Sequence, residues 1–123
     1  MQLDDFFDEV IAKEDTGKLK PDKKPFLVAM KRFKVKPEEC LMVGDRPKRD
    51  IVGAKSLGIH TCFAQYGYGK KVNSGANFTI DKIEELLPVV NKLTKWIKWT
   101  LKKSMTNLQM EKLKSLEQML DYL

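Results

Sequence analysis

The sequence has 123 residues, enough for one domain with a hydrophobic core. Hydrophobic residues make up 42% and charged residues 33%, which excludes a disordered chain, and no run is long and apolar enough to span a membrane. Cys40 and Cys62 are too few for a disulfide framework and lack metal-knuckle spacing. Because the opening residues show no secretion signal, we interpret both as buried thiols of a cytoplasmic protein.

The first segments alternate between strand and helix signals. Asp8–Lys13 is a short apolar stretch that predicts a strand. Pro21 predicts the start of a helix, and Pro37 predicts that this helix has ended. The helix carries large apolar residues on one face, at Phe26, Leu27, Met30 and Phe33.

The second strand signal is the continuous apolar run Cys40–Val43, directly before Gly44 and Asp45. Such a run is typical of a fully buried parallel strand. A short helix is expected next, with Asp50 as its N-cap and Gly58 at its end.

The remaining signals before residue 81 are a strand, a glycine-rich loop and an edge strand, at His60–Gln65, Tyr66–Gly75 and Phe78–Ile80. The order β-α-β-α-β is typical of a parallel sheet covered by helices. We therefore predict an α/β fold with a Rossmann-like parallel sheet over residues 1–87.

Residues 88–123 have a different character, with seven basic and three acidic side chains. Most of the net charge of +6 therefore comes from this tail. Pro88 predicts the start of an amphipathic helix, with apolar residues on one face and Lys92, Lys95, Lys98 and Lys102 on the other. Thr106 and Gln109 fit a capping box that begins a second helix. The second helix has a leucine stripe at Leu113, Leu116, Leu120 and Leu123.

The first motif that could support catalysis or binding is GDRPKRD, which places Asp45 and Asp50 after a buried strand. Ligands of open parallel sheets gather beyond the carboxyl ends of the strands. Carboxylates at that edge can hold Mg²⁺, and Gly44 allows the backbone to approach a ligand closely. The alternative is an ordinary turn in which Asp45 is solvated and Asp50 only caps the helix.

The second motif is GKLKPD, which places Lys20 just before a predicted helix. A lysine at a helix start suits a phosphoryl group, because the helix dipole also favours negative charge there. The alternative is a solvated lysine in a lysine-rich chain.

Together, the stretches TGKLKPD and KPEECLMVGDRPKRDIVGAKSLGIHT resemble the second half of the haloacid dehalogenase-like hydrolase superfamily. The resemblance covers about residues 3–87. It implies that Lys20 is a catalytic, phosphate-binding residue and that Asp45 and Asp50 serve a Mg²⁺ site. The reaction it implies is hydrolysis of phosphoesters through an aspartyl-phosphate, with a phosphorylated small molecule as the substrate.

The sequence departs from the family in one respect that matters for activity. The family's nucleophile lies in a DxDx[TV] motif after the first strand, and no such motif occurs in these 123 residues. We expect the chain to begin where the second half of the fold begins and to be inactive by itself. Two strands that the resemblance places beside Cys40–Val43 would be missing, so Asp8–Lys13 either pairs there or leaves an apolar edge that recruits another chain.

The tail allows several interpretations, and the preferred one is that its apolar face covers the exposed sheet. Trp96 and Trp99 beside Lys95 and Lys98 also fit a membrane-surface helix, which is the less favoured option. The leucine stripe predicts a helix pair, and therefore a homo-oligomer or a complementing chain. A non-catalytic interaction module is the alternative function. A nucleic-acid partner is not expected, because the basic residues follow one helix face and only two tryptophans offer stacking.

Overall fold

The computed structural model describes residues 4–104 and 106–121, apart from the side chains of Ser104, Met110, Leu113, Leu116, Glu117, Met119, Leu120 and Asp121. Its helices are α1 (Lys13–Thr16), α2 (Lys23–Phe33), α3 (Val52–Lys55), α4 (Gln65–Tyr68), α5 (Leu86–Ser104) and α6 (Asn107–Asp121). Its strands are β1 (Leu41–Gly44), β2 (His60–Ala64) and β3 (Phe78–Ile80). Short 3₁₀ turns lie at Asp4–Phe6, Pro37–Glu39 and Ile83–Glu85, and a π-helical turn at Pro47–Ile51 leads into α3.

Within the described residues the sheet has three parallel strands in the order β1-β2-β3. Strand β2 lies in the middle, and four of its five residues, Thr61–Ala64, are buried. Parallel strands need a crossover between them, which the π-helical turn and α3 supply between β1 and β2. This architecture confirms the predicted α/β fold.

The main core lies between α2, α3 and the start of β2. Phe26 and Met30 of α2 pack with Ala54 of α3 and Ile59, and half-buried apolar residues surround this cluster. Two members of the predicted apolar face of α2 are therefore buried, whereas Leu27 and Phe33 are exposed. Asp22 begins α2, because its Oδ1 accepts a hydrogen bond of 2.8 Å from the Lys24 N–H.

The prediction of a strand at Asp8–Lys13 is wrong. Residues 8–12 have no regular structure, and Lys13 begins a helical turn instead. The Asp15 carboxylate accepts a hydrogen bond of 2.7 Å from the Ala12 N–H, a local cap that favours the turn. That hydrogen bond, followed by one from Arg32, lowers the pKa of Asp15. Of the two alternatives for this segment, pairing with β1 is therefore absent from the described structure.

Strand β1 is at the edge of the described sheet, and all four of its residues are only half-buried. The prediction of a fully buried strand at Cys40–Val43 is therefore correct in place but wrong in burial. An edge strand has neighbours on one flank only, so part of its surface stays accessible. Cys40 just before it is half-buried, and only Cys62 on β2 matches the predicted buried thiol.

Both cysteines are free, and their thiols are poor nucleophiles near neutral pH. Burial raises the pKa of Cys62. Burial also raises the pKa of Cys40, and the carboxylates of Glu39 and Glu38 raise it further. A raised thiol pKa leaves less thiolate, the reactive form.

By its internal contacts the chain divides into two compact units, Met1–Leu86 and Leu87–Leu123. Helix α5 begins at Leu86, the last residue of the first unit and two residues before the expected start at Pro88. The predicted capping box is present, because Gln109 accepts from the Thr106 N–H at 2.9 Å and Thr106 accepts from the Gln109 N–H at 3.4 Å. The leucine stripe of α6 lies outside the described side chains. Among the described helices, none is long and apolar enough to cross a membrane.

The neighbours Ile51 and Val52 provide a test of the core, because Ile51 is 0% and Val52 56% exposed. We expect Ile51→Ala to lower the free energy of unfolding by about 2–5 kcal/mol, since it leaves a cavity. Val52→Ala removes a side chain that faces solvent and should change it by no more than about 0.5 kcal/mol. Urea titrations followed by circular dichroism measure both values, and equal effects would contradict this core assignment.

Candidate functional site

The carboxyl ends of the parallel strands bring three polar residues to one edge of the sheet. Asp45 follows β1, Gln65 follows β2 and Asp81 follows β3. The Gln65 amide donates a hydrogen bond of 2.8 Å to Asp81, which joins two of these strand ends. In open α/β sheets this edge is where ligands bind.

The most buried charge at this edge is the carboxylate of Asp50. Its side chain is 6% exposed, and its Oδ1 lies 2.7 Å from the Lys20 Nζ. That contact is an ion pair outside hydrogen-bond angles, so Oδ1 is a buried side-chain oxygen without a hydrogen bond in the described part of the chain. The other oxygen, Oδ2, accepts a hydrogen bond of 3.2 Å from the Arg46 N–H.

These partners correct the predicted role of Asp50. It is not an N-cap residue but lies inside the π-helical turn, whose N-cap is Arg46 and whose first residue is Pro47. From that position its carboxylate accepts a hydrogen bond from the Arg46 N–H, which has no carbonyl partner within the helix. Asp50 therefore fixes the turn through one oxygen and positions Lys20 through the other.

Gly44 makes room for the Asp50 carboxylate. A Cβ at Gly44 would lie 2.6 Å from both Cβ and Cγ of Asp50, closer than real side chains pack. The prediction that Gly44 is small to admit a ligand differs from the structure, in which the missing side chain makes room for Asp50. The end of β1 and the π-helical turn can therefore approach only because residue 44 has no side chain.

Asp45 is held differently, with its side chain 39% exposed. The Arg46 Nε lies 3.8 Å from its Oδ1, a loose contact between neighbours in an open environment. Its Cβ packs against Gly67, where an added Cβ would lie 2.7 Å away. The sequence pattern predicts a loop at 66–75 and therefore does not single out Gly67. The sequence signal for Gly67 was its position shortly after the predicted strand His60–Gln65.

The residues at this edge suit a Mg²⁺ ion only in part. Carboxylate oxygens are the ligands that Mg²⁺ prefers, and one or two carboxylates with water and phosphate oxygens can complete its shell. The described residues contain no group of three His, Cys, Asp or Glu side chains placed to hold a metal. Asp45 is open to an ion, while Asp50 already contacts Lys20 and Arg46. Asp45 is thus the better candidate for direct contact, and Asp50 for support.

The structure therefore brings Lys20 and Asp50 into contact and places Asp45 after the adjoining strand end. Their roles in binding phosphate and metal stay predictions at this point. The Lys20 side chain is 31% exposed, so its ammonium reaches solvent as well as Asp50. A lysine held by one carboxylate keeps further N–H donors for an anionic ligand.

The ion pair can be tested by a double-mutant cycle. Lys20→Met should lower the free energy of unfolding by about 1–3 kcal/mol, because it leaves a buried carboxylate without its cation. In an Asp50→Asn background the same substitution should cost at least about 1 kcal/mol less. Lys18→Met, at an exposed lysine two residues away, is the control and should have little effect in either background. Additive effects of Lys20→Met and Asp50→Asn would refute the coupling.

Comparison with known proteins finds relatives of similar sequence and structure. A family model described as haloacid dehalogenase-like hydrolase matches residues 1–64. The glyceraldehyde 3-phosphate phosphatase of Pyrococcus furiosus is 40% identical over 96 residues, which cover 75% of this chain and 40% of that protein. The chain therefore spans about two fifths of the length of this curated relative.

Solved structures agree with the sequence matches. The HAD phosphatase of Thermococcus onnurineus superposes with a TM-score of 0.66 at 35% identity, over 70% of this chain and 40% of that one. YfnB of Bacillus subtilis is a protein assigned to the HAD hydrolases, and its structure contains bound magnesium. It superposes with a TM-score of 0.62 at 32% identity, over 72% of this chain and 39% of YfnB. The resemblance inferred from the motifs is confirmed, and the chain belongs to the haloacid dehalogenase-like hydrolase family.

Proposed function

We propose that this chain supplies the phosphoryl-binding and metal-binding half of a Mg²⁺-dependent phosphohydrolase site. The observation that supports this most is the Lys20–Asp50 ion pair of 2.7 Å beside the end of β1. It fixes a cation at the edge where parallel sheets bind ligands. The phosphatase names of the relatives from Pyrococcus furiosus and Thermococcus onnurineus point to the same reaction class.

In this proposal Lys20 binds the phosphoryl group of a small phosphorylated substrate. Its ammonium is partly exposed, and Asp50 keeps it near the strand ends. Negative charge on the phosphoryl oxygens would be balanced by Lys20 both before and during reaction. A cation that is already in place needs no reorganisation at the moment of reaction, which is why such groups stabilise transition states.

Asp45 is the proposed Mg²⁺ ligand, and Asp50 supports the site from behind. A bound Mg²⁺ would supply charge neutralisation for phosphoryl oxygens. The magnesium bound to YfnB of Bacillus subtilis supports this choice of ion. Arg46 beside Asp45 keeps the carboxylate from being an isolated negative charge when no ligand is near.

We further propose that the 123-residue chain binds phosphate but does not hydrolyse phosphoesters unaided. The family's chemistry needs the aspartate of a DxDx[TV] motif, and these residues contain none. The nucleophile would then come from polypeptide other than these 123 residues. We place the protein in the cytoplasm, because both described cysteines are free thiols. We expect a small phosphorylated molecule rather than a nucleic acid as its ligand.

A chimera tests this function. Residues 4–86 of this chain would replace the matching segment of the Pyrococcus furiosus glyceraldehyde 3-phosphate phosphatase, which retains its own N-terminal part. We expect the chimera to hydrolyse p-nitrophenyl phosphate with Mg²⁺, and Lys20→Met to lower kcat by roughly 100-fold through lost charge stabilisation. Asp45→Asn should lower the apparent affinity for Mg²⁺ and the rate together.

The controls separate lost chemistry from lost folding. Lys18→Met in the same chimera should leave kcat within about twofold, because Lys18 is exposed and outside the site. Thermal unfolding of each variant shows whether the fold is intact. Full turnover by a folded Lys20→Met chimera would overturn the proposal. Turnover by the 123-residue chain alone, lost in Asp45→Ala, would show that a nucleophile had been missed.

A second candidate function is a non-catalytic interaction module that assembles with itself. The observation that favours it is strand β1, which is half-buried and at the edge of the described sheet. Backbone groups on an open strand flank pair readily with another chain. On α5, Val90, Trp96 and Leu101 are exposed, which adds apolar surface for such an assembly.

Light scattering with size-exclusion chromatography tests this assembly. We expect a dimer or larger species for the full chain across micromolar concentrations, because apolar surface on α5 and the flank of β1 would both be covered. A chain that ends near Asn91 should shift toward monomer if α5 and α6 form the interface. A monodisperse monomer of the full chain would contradict the proposed assembly while leaving the phosphate site untouched.

A further inference from the structure

An open pocket of about 340 Å³ lies next to the candidate site. Its walls are two chain segments, residues 46–49 with the cations Arg46, Lys48 and Arg49, and a second segment with Tyr68, Val72 and Asn73. Its volume is at the lower end of the range for small-ligand sites, which suits a small group rather than a whole cofactor. Within the motif GDRPKRD, the family resemblance gives roles to Asp45 and Asp50 but none to these basic residues.

Both walls are connected to the candidate site. On one wall, Arg46 lies 3.8 Å from Asp45 through its Nε, and its N–H donates to Asp50. On the other wall, Tyr68 directly follows Gly67, the residue that packs against Asp45. A molecule whose phosphoryl group lies near Lys20 and Asp45 can therefore extend into this pocket without leaving the strand edge.

The charge of the pocket has one sign. Three cationic side chains line it and no carboxylate does. Within the described part of the chain, Lys48 and Arg49 have no ion-pair partner, and the Arg46 side chain forms an ion pair only with its neighbour Asp45. Like charges so close together repel, so an anion that binds between them relieves an unfavourable interaction.

The second wall adds neutral polar groups at Tyr68 and Asn73. The Tyr68 ring packs edge-on against the buried ring of Phe63, with 5.9 Å between ring centroids. The Asn73 Oδ1 accepts a hydrogen bond of 3.1 Å from the Gly75 N–H, which leaves the amide NH₂ group as a donor. The hydroxyl and the amide therefore add neutral donors to the three cations.

We propose that this pocket binds a second anionic group, a phosphate or a carboxylate, on the same molecule whose phosphoryl group meets Lys20. The inference rests on the proposed function for the first group. Arginine and lysine together suit such a group, because guanidinium binds its oxygens in pairs and ammonium adds a mobile charge. The ligand class is thus a small phosphorylated molecule with at least two anionic groups.

The test compares non-hydrolysable ligands with one and two anionic groups. Isothermal titration of the full 123-residue chain, without added metal and at about 0.15 M salt, uses methylphosphonate, phosphonoacetate and methylenediphosphonate. We expect both two-anion ligands to bind at least tenfold more tightly than methylphosphonate. Phosphonoacetate and methylenediphosphonate distinguish a carboxylate from a phosphate as the preferred second group.

Variants assign that advantage to the pocket. Lys48→Gln and Arg49→Gln should each lower the affinity for the preferred two-anion ligand by roughly tenfold and leave methylphosphonate binding unchanged. Lys31→Gln removes the same charge from an exposed position on α2 and should change neither affinity. Thermal unfolding confirms that each variant is folded, and the two single variants provide independent tests.

The outcomes separate the two proposals. Equal binding of all three ligands, or an advantage that survives both pocket variants, would overturn the pocket inference. If Lys20→Met still abolishes methylphosphonate binding in that case, the proposed function stands. An advantage that depends on Lys48 and Arg49 but not on Lys20 would support the pocket and contradict the proposed function of Lys20.

Discussion

The buried carboxylate of Asp50 is the constraint on which the strand edge depends. Removal of a carboxylate from water costs several kcal/mol, roughly, unless charge and hydrogen bonds replace the lost solvation. Its replacements come from two places, the Lys20 ammonium before α2 and the Arg46 N–H at the start of the π-helical turn. Segments far apart in the chain are therefore held together by the same two oxygens. The contacts of the Asp50 carboxylate therefore determine both the fold of this edge and the geometry of the candidate site.

The same constraint explains why small residues lie beside both carboxylates. Gly44 gives Asp50 its space, and Gly67 gives Asp45 its space. The two carboxylates then differ in environment, since Asp50 is buried and paired whereas Asp45 is half-exposed. An exposed carboxylate can exchange water for an ion at little cost, while a buried, paired one stabilises its surroundings. The proposed roles, with Asp45 as the metal ligand and Asp50 as its support, follow from this difference in burial and pairing.

Sequence patterns were reliable where the signal is local. The apolar runs predicted β1, β2 and β3 to within one residue, and Thr106 and Gln109 predicted the capping box. Asp8–Lys13 failed because a strand needs a partner, and a carboxylate cap at Asp15 offered the backbone a nearer alternative. The motifs predicted that Lys20 and Asp50 lie near the same ligand, but not that they form an ion pair with each other. The packing of Gly67 against Asp45 could not be predicted, because no local sequence pattern connects these two residues.

The balance of charge at this edge bears on how ligands would bind in the proposed function. Within the candidate site and its pocket, Lys20, Arg46, Lys48 and Arg49 bring four positive charges, against two negative charges on Asp45 and Asp50. An excess of cations attracts an anionic ligand before any metal is present and weakens the hold of Asp45 on a divalent cation. An anion that occupies the pocket neutralises this excess, so Asp45 binds a cation more tightly once the anion is there. By thermodynamic linkage, a bound cation must then raise the affinity for the anion by the same factor.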